Sequence, residues 1–302
     1  MPFLTVFSAP KPFSDPHITV IQTNALQSWL HLDPEVEVFL VGEEPGLTEA
    51  AARHGVPLLQ DVRRNASGTP LVSSIFELAR QASCSDVMAY VNGDILLLPD
   101  ILQAAHQIAA QINNQPFLLI GQRWDLDVTE LLDFSPGWED CLRTRVQNEG
   151  RLHAPAGSDY FVFPRAAFSE MPEFAIGRAG WDNWMIYHAR ANNWPVIDGT
   201  PSVMIVHQSH DYSHLPGGRS HYNLAESQQN MQLGGGLKHM YMVLDADRQL
   251  RDGKIRSPQL NWLRLIRSVE LRLMPDSGEL RGARGELTRK LRKLRRKMSE
   301  EI

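Results

Sequence analysis

The stretch Tyr90-Val91-Asn92-Gly93-Asp94-Ile95-Leu96-Leu97 places one acid directly after an apolar run. Residues 87–91 are continuous, apolar and rich in β-formers, which predicts a buried strand that ends at Asn92-Gly93. In open α/β sheets ligands bind outside the carboxyl ends of strands, and a carboxylate there suits a divalent cation that carries phosphates. Asn-Gly-Asp is also ordinary turn chemistry, so a turn and a metal-binding acid stand as alternatives.

Length and composition restrict the class of protein. The chain has 302 residues, of which 43% are hydrophobic and 22% charged, enough for a large core in one or two domains. The net charge of −5 does not indicate a basic surface for nucleic acid, and no nucleic-acid partner is expected. Cys84 and Cys141 are too few for a disulfide framework, which favours a cytoplasmic location. Because no eighteen uncharged apolar residues run together, no spanning helix is expected.

Strand-like and helix-like segments alternate along the first 120 residues, as in a sheet with helices on its faces. Strands are predicted at residues 3–7, 36–41, 56–59, 87–91 and 117–120. Helices are predicted at residues 18–30, 47–54, 71–81 and 99–111. The alternation then weakens, and the later predictions are strands at 161–163 and 203–206 and a helix at 184–191. The pattern predicts an α/β fold.

Two polar clusters in the second half of the chain have competing interpretations. Gly157-Ser158-Asp159-Tyr160 is either a sugar-binding loop or ordinary chemistry at the start of a strand. Gly180-Trp181-Asp182-Asn183-Trp184 opens a helical pattern, so Asp182 is either an N-cap or a general base aimed into the crevice. If Asp182 is the base, Trp181 and Trp184 form the walls of the crevice on either side of it. Core packing is the alternative for these rings.

A third cluster, His207-Gln208-Ser209-His210-Asp211-Tyr212-Ser213-His214, follows a predicted strand. A single histidine at such a place is usually structural. Three histidines in eight residues beside an acid make a metal or phosphate role an equal alternative, because neutral imidazole is a common ligand of divalent metals.

Taken in order, these motifs resemble the nucleotide-sugar glycosyltransferases of the GT-A fold, most nearly the inverting family-2-type group. The resemblance covers residues 3 to about 245. In that family an Asp-x-Asp motif holds a metal that bridges the donor diphosphate, and Asn92-Gly93-Asp94 keeps its second acid. The family's base lies in a Glu-Asp pair at a helix start, which Gly180-Trp181-Asp182 matches loosely. The segment 162–168 resembles the strand-and-Arg segment that precedes the base.

The resemblance implies a GT-A mixed sheet flanked by helices over residues 1–250, and the composition of the remainder predicts a basic helical extension over 251–302. It implies a divalent cation, Mn²⁺ or Mg²⁺, held by Asp94 and His207, and it makes Asp182 the catalytic base. Donor-binding residues are expected at Ser8, Ala9, Pro10, Glu43, Arg64, Asn65, Thr69, Asn92 and Asp94. Acceptor or sugar-binding residues are expected at Ser158, Asp159, Tyr160, Trp181 and Trp184.

The expected activity is transfer of a sugar from a nucleotide-sugar donor to the hydroxyl of a saccharide or lipid-linked acceptor, with inversion at the anomeric carbon. A nucleotidyltransferase that makes nucleotide sugars is an alternative. Such enzymes have a Gly-rich first loop, whereas Ser8-Ala9-Pro10-Lys11-Pro12 offers few N–H groups to phosphates. A non-catalytic carbohydrate-binding protein is the third possibility.

The C-terminus is basic and amphipathic. Residues 281–302 contain nine Lys or Arg against three Glu, and Leu287, Leu291, Leu294 and Met298 recur at helical spacing. Another helix is predicted over residues 260–274. One interpretation is a helix packed on the domain, followed by a solvated or coiled tail. The other is a peripheral contact with the inner face of a membrane.

Overall fold

The computed structural model describes residues 1–113, 115–210, 224–275, 280 and 282–300. The strands, numbered in chain order, are β1 Leu4–Ser8, β2 Val36–Val41, β3 Leu58–Leu59, β4 Val87–Val91, β5 Ile95–Leu97, β6 Leu118–Ile120, β7 Trp124–Leu126, β8 Arg151–Leu152, β9 Tyr160–Pro164, β10 Val196–Asp198, β11 Ile205–Gln208, β12 Arg248–Arg251 and β13 Lys254–Arg256. The helices are α1 Pro16–Leu30, α2 Leu47–His54, α3 Val72–Ala82, α4 Asp100–Gln111, α5 Trp138–Glu149, α6 Trp181–Ala191, α7 Ala225–Leu233, α8 Trp262–Leu273 and α9 Gly282–Glu300.

A mixed sheet organises these elements. Its nine strands lie in the order β13-β12-β10-β6-β9-β4-β1-β2-β3. The first strands pair in parallel, and β9 enters antiparallel between β4 and β6. This arrangement confirms the predicted mixed α/β sheet flanked by helices, with further helices at the C-terminus.

The core lies on both faces of this sheet, as β4 illustrates. Val87, Ala89 and Val91 belong to one hydrophobic cluster, and Met88 and Tyr90 belong to another. Successive side chains of a strand point to opposite faces, so a strand covered by helices on both sides is apolar throughout. This is why the run that leads to Asp94 carries no alternation of polar residues.

A second, smaller sheet was not predicted. Its order is β5-β11-β7-β8, and it packs over a third cluster that includes Leu96, Leu126, Trp138 and Val206. Strand β11 covers 205–208 rather than the predicted 203–206, so His207 lies within the strand instead of after it. The predicted third strand shortens from 56–59 to 58–59.

The end of the main sheet also differs from expectation. Strands β12 and β13 form a hairpin whose turn, Asp252-Gly253, has φ values of 52° and 69°. The division expected between residues 250 and 251 falls inside β12. The sheet therefore extends to residue 256, and the helical part begins at Trp262.

Helices α8 and α9 are held by buried ion pairs. The Glu270 carboxylate is 0% exposed and accepts hydrogen bonds from Arg267, Arg292 and Arg295 at 3.0–3.1 Å. Arg267 also pairs with Asp245 at 2.8 Å, which joins α8 to the segment before β12. No helix within the described part of the chain is long and apolar enough to span a membrane.

Candidate active site and metal centre

The candidate residues converge at one edge of the main sheet. Strands β1 and β4 are parallel, so the segments that follow Ser8 and Val91 leave the sheet on the same side. Because β9 is antiparallel to β4, the loop before Tyr160 reaches that edge too. There Asn92 binds Asp159, through its backbone N–H to the carbonyl oxygen at 2.9 Å and its side-chain amide to Oδ1 at 2.8 Å.

Asp94 lies at this edge with two histidines. Its Oδ2 is 3.1 Å from Nε2 of His210 and 3.9 Å from Nε2 of His207. One ligand atom from each of the three side chains lies within 4.8 Å of the others. Oδ1 of Asp94 is buried and has no hydrogen-bond partner among the residues described. One carboxylate and two imidazoles, with an oxygen left over, fit a divalent cation.

Strand pairing brings these residues together. Strand β5, directly after Asp94, pairs antiparallel with β11, and His207 lies opposite Ile95. The backbone N–H of Gln208 donates to the carbonyl oxygen of Asp94 at 3.2 Å. The histidines are thereby placed beside an acid that lies more than a hundred residues earlier in the chain.

A lysine that the sequence did not suggest completes this cluster. Nζ of Lys11 is 3.8 Å from Oδ2 of Asp94 and 3.2 Å from Nε2 of His210. Burial acts to raise the pKa of the Asp94 carboxyl. The hydrogen bond from His210 and the positive charges around it outweigh that effect and hold the pKa well below its usual range.

Asp125 orients one of the histidines. It lies opposite His207 in the parallel pairing of β7 with β11, and its Oδ1 is 3.0 Å from Nδ1 of His207. An ionised carboxylate can only accept, so Nδ1 carries the ring proton and Nε2 is left as an acceptor on the Asp94 side. Burial acts to raise the pKa of Asp125, but hydrogen bonds from His153 and His207 hold it below its usual range.

An arginine links Asp125 to the loop that precedes β9. Arg123 donates to Oδ1 of Asp125 and to Oδ2 of Asp159, each at 2.9 Å. Asp159 in turn accepts from Asn92. The polar network therefore runs without interruption from the turn before Asp94 to the strand that supports His207.

Asp182 lies on the first turn of α6. Gly180, with φ of 112°, occupies the N-cap position, Trp181 is the first helical residue and Asp182 the second. Its Oδ1 accepts the backbone N–H of Gly180 at 3.3 Å. Asp182 is therefore not the N-cap that one interpretation of the sequence expected. Burial, together with the charge of Asp159, raises the pKa of Asp182 to about 6 against the lowering effect of backbone N–H groups.

Gly157 leaves room for this carboxyl group. A Cβ atom at position 157 would lie 2.6 Å from Oδ2 of Asp182, which is shorter than any normal contact. We expect Gly157→Ala to displace the carboxylate, and a turnover that depends on its position to fall on the order of 10²-fold, the cost of misplacing a reacting group by about an ångström. Steady-state kinetics measures the loss. Thermal unfolding near that of the parent chain should accompany it, and unchanged turnover would contradict the placement.

The aromatic residues expected to contact a sugar lie in the core instead. Tyr160, Trp181 and Trp184 are 0%, 5% and 8% exposed. Trp181 meets the Tyr90 ring edge-on, at 5.2 Å between centroids. The side chain of Ser158 is also buried, where it bonds the backbone of Gly121. The two tryptophans fill space between α6 and the sheet, and Tyr160 lies in the core on the other face, so none of the three offers a flat surface to a sugar.

The first loop contacts the Asp94 turn. A Cβ atom added at position 93 would lie 3.2 Å from Cα of Pro10, so this close approach of the two segments suits glycine. Ser8 is buried, and within the described chain its hydroxyl has no hydrogen-bond partner. The structure thus brings the expected donor residues Ser8, Ala9 and Pro10 to the same edge as Asn92 and Asp94.

The remaining expected donor residues form a separate group. Arg64 donates to Glu44 at 3.0 Å and lies 3.8 Å from Glu43. Oδ1 of Asn65 accepts from the backbone of Thr69, and its amide donates to Glu226 at 2.7 Å. These contacts hold the loop 64–69 in shape and leave the Glu43 carboxylate partly exposed. From the histidine cluster, Asp211 and His214 lie outside the described residues.

Comparisons with known proteins give structural likenesses. No family model and no curated protein matches the chain. A glucosyl-3-phosphoglycerate synthase from Mycobacterium tuberculosis, solved with Mn²⁺, UDP and phosphoglyceric acid, is 14% identical with a TM-score of 0.46, covering 78% of this chain and 79% of its own. A mannosyltransferase from Pyrobaculum calidifontis, solved with GDP-Man and Mn²⁺, is 11% identical with a TM-score of 0.45, covering 70% and 58%.

Proposed function

We propose that this chain is a nucleotide-sugar glycosyltransferase of the GT-A fold, which moves a hexosyl group to an acceptor hydroxyl with inversion and with the help of Mn²⁺ or Mg²⁺. The observation that carries the proposal is the cluster of Asp94, His207 and His210, with its unpartnered carboxylate oxygen, at the sheet edge. Asp182 lies beside the loop 157–159 that reaches the same edge.

The cluster departs from the family's motif in a way that the fold compensates. Asn92 stands where the family has its first acid, and its amide is bonded to Asp159. His210, which follows β11, supplies an additional ligand close to Asp94. We propose that Asp94, His207 and His210 hold the cation, which when bound would offset the charge on the donor diphosphate.

Lys11 adds a fixed positive charge at this place. Its ammonium group lies within 4 Å of both Asp94 and His210 and is partly exposed. A nucleoside diphosphate leaving group gains negative charge as the glycosidic bond breaks, and a preorganised cation lowers the free energy of that transition state. We propose that Lys11 binds a diphosphate oxygen of the donor.

Asp182 supplies the base in this proposal. With a pKa of about 6 the carboxylate is ionised at neutral pH and remains a better proton acceptor than an ordinary aspartate. It takes the proton of the acceptor hydroxyl while that oxygen bonds to the anomeric carbon, and the bond from that carbon to the diphosphate oxygen breaks on the opposite face. The products are the glycoside, the nucleoside diphosphate and protonated Asp182.

The finer statements concern the acceptor and the location. We propose a saccharide or a lipid-linked acceptor, and a cytoplasmic protein, since Cys84 and Cys141 are both free thiols. The assay is incubation with a panel of nucleotide sugars and acceptors, with detection of nucleoside diphosphate. Release of diphosphate supports a transferase, and consumption of a nucleoside triphosphate indicates a nucleotidyltransferase. The absence of both reactions indicates a carbohydrate-binding protein.

The support of His207 by Asp125 gives a prediction about metal affinity. In Asp125→Asn the amide can donate to Nδ1, which would move the ring proton to Nε2, the atom that must bind the cation. We expect Mn²⁺ to bind about 10–100-fold more weakly, as is usual when the partner of a ligand is lost. Calorimetric titration with Mn²⁺ measures this without any turnover. Asp127→Asn, an exposed neighbour, is the control, and equal affinity in both variants would refute the role of Asp125.

A further inference from the structure

Helix α9 packs on α8 through its polar side. Its buried positions are Gly285, Thr288 and Arg295, and Arg292 reaches the same partner, Glu270, as Arg295 does. These positions recur every three or four residues and so form one face of the helix. The ion pairs to the fully buried Glu270 fix which side of α9 faces inward.

Two leucines of α9 are consequently left exposed beside this inward face. Leu287 and Leu294 are 46% and 48% exposed, although each is large and apolar. Each directly precedes a buried position of the inward face, so each lies about 100° around the helix axis from that position. Helix α8 has a similar outward row, formed by Trp262, Leu265 and Val269, which are 71%, 45% and 44% exposed. These five exposed residues, carried by two helices that pack on each other, are called the α8–α9 apolar face below.

Such a face is unusual for a protein surface. An amphipathic helix normally turns its apolar stripe to the core, and contiguous exposed apolar groups mark a site of interaction. On α9 the inward side is occupied by arginines that pair with Glu270, while Leu287 and Leu294 are left exposed. The arrangement therefore indicates a partner that receives the apolar face.

Charge decides which kind of partner fits. Lys290, Lys293, Arg296 and Lys297 are exposed on α9. If two copies of α9 met along their leucines, Lys290 and Lys297 would lie at the edges of the contact and repel their equivalents. A negatively charged surface with an apolar interior has the complementary character.

We propose that the α8–α9 apolar face binds an anionic lipid surface. Trp262 and the leucines enter the boundary between headgroups and acyl chains, and the lysine ammonium groups extend toward the lipid phosphates. This goes beyond the proposed catalytic function and does not depend on it, because no catalytic residue takes part.

The test is co-sedimentation of the full chain with vesicles of phosphatidylglycerol and phosphatidylcholine, compared with phosphatidylcholine alone. We expect binding to the anionic vesicles that weakens as salt is added. The double variant Leu287→Ser/Leu294→Ser should bind about tenfold more weakly, and Lys290→Glu/Lys293→Glu should lose at least about fivefold for each cation removed. Leu131→Ser and Lys254→Glu are the matched surface controls, and circular dichroism verifies that every variant is folded.

The possible outcomes separate the partners. Equal binding by the leucine variant and its Leu131→Ser control would overturn the proposal, as would equal binding to neutral and anionic vesicles. Sedimentation velocity without lipid tests whether a second copy of the chain covers the face instead. A dimer that the leucine variant abolishes, together with no vesicle binding, would assign the face to that second copy and would also overturn the proposal.

Discussion

The Asp182→Asn variant is expected to lose turnover by on the order of 10²- to 10⁴-fold, with little change in the affinity for nucleoside diphosphate. Asparagine keeps the size of the side chain and the oxygen that accepts the Gly180 N–H. It cannot take the acceptor proton, so only the chemical step should suffer. Steady-state kinetics gives the turnover, and calorimetry gives the nucleotide affinity.

The same residue predicts a pH dependence of activity. Since the base must be ionised, turnover of the parent chain should fall as the pH drops through about 6, the pKa of Asp182. The residual activity of Asp182→Asn should lack that step. A profile in which the step persists in the variant would assign it to another group.

Stability should change in the opposite direction to activity. Because folding raises the pKa of Asp182 from 3.8 to about 6, this group contributes stability that is present below pH 4 and is lost as the pH rises through 6. Asparagine stays neutral. The variant should therefore have a higher melting temperature than the parent at pH 8 and a similar one at pH 4, as calorimetric unfolding would show.

A matched control exists within the chain. Helix α5 begins with Gly137-Trp138-Glu139, where Gly137 has φ of 92°, just as α6 begins with Gly180-Trp181-Asp182. Glu139→Gln changes an acid at the same helical position, and it should leave turnover unchanged. Equal turnover losses in both variants would indicate a general effect of helix-start acids. Retained turnover in Asp182→Asn would favour Asp159, Asp211 or a retaining mechanism.

Asp94→Asn is the second change with a large expected effect. It removes the carboxylate that the two histidines surround and whose Oδ1 is buried without a partner in the described chain. We expect Mn²⁺ affinity and turnover to fall together, by at least the roughly 10–100-fold that loss of a supporting group costs at metal sites. Titration calorimetry and turnover with added Mn²⁺ measure the two losses.

The control for Asp94 is the same substitution at the opposite end of β4. Asp86 is exposed before the strand, and Asp86→Asn should change neither quantity. His207→Ala and His210→Ala should each weaken Mn²⁺ binding. Full activity of Asp94→Asn, or undiminished activity of the parent chain in excess chelator with no metal bound, would remove Asp94 from the proposed role.

Local patterns account for what the sequence predicted well. The apolar run before Asp94 is a central strand, and its composition follows from burial on both faces. The hairpin turn Asp252-Gly253 also carries a strong local signal, although none of the predicted strands included it. Both features depend on neighbours in the chain, so they can be identified without knowledge of the fold.

Long-range pairing explains what was missed. Asp125 acts on His207 only because β7 and β11 pair in a register that sets these residues opposite each other, 82 positions apart in the chain. Strands of three or four residues give too little periodicity to predict such a pairing. Likewise the Trp181 ring gives no sign in the sequence that it turns toward Tyr90 rather than toward a ligand.

The candidate metal ligands lie where the two sheets meet, and this has a consequence for folding. Asp94 follows a strand of the large sheet, whereas His210 follows a strand of the small one, 116 residues later. Closing so long a loop costs conformational entropy that no local contact offsets, so these side chains meet only when β5 has paired with β11 in the small sheet. A cation that requires all three side chains therefore binds the finished fold alone and raises its stability by mass action.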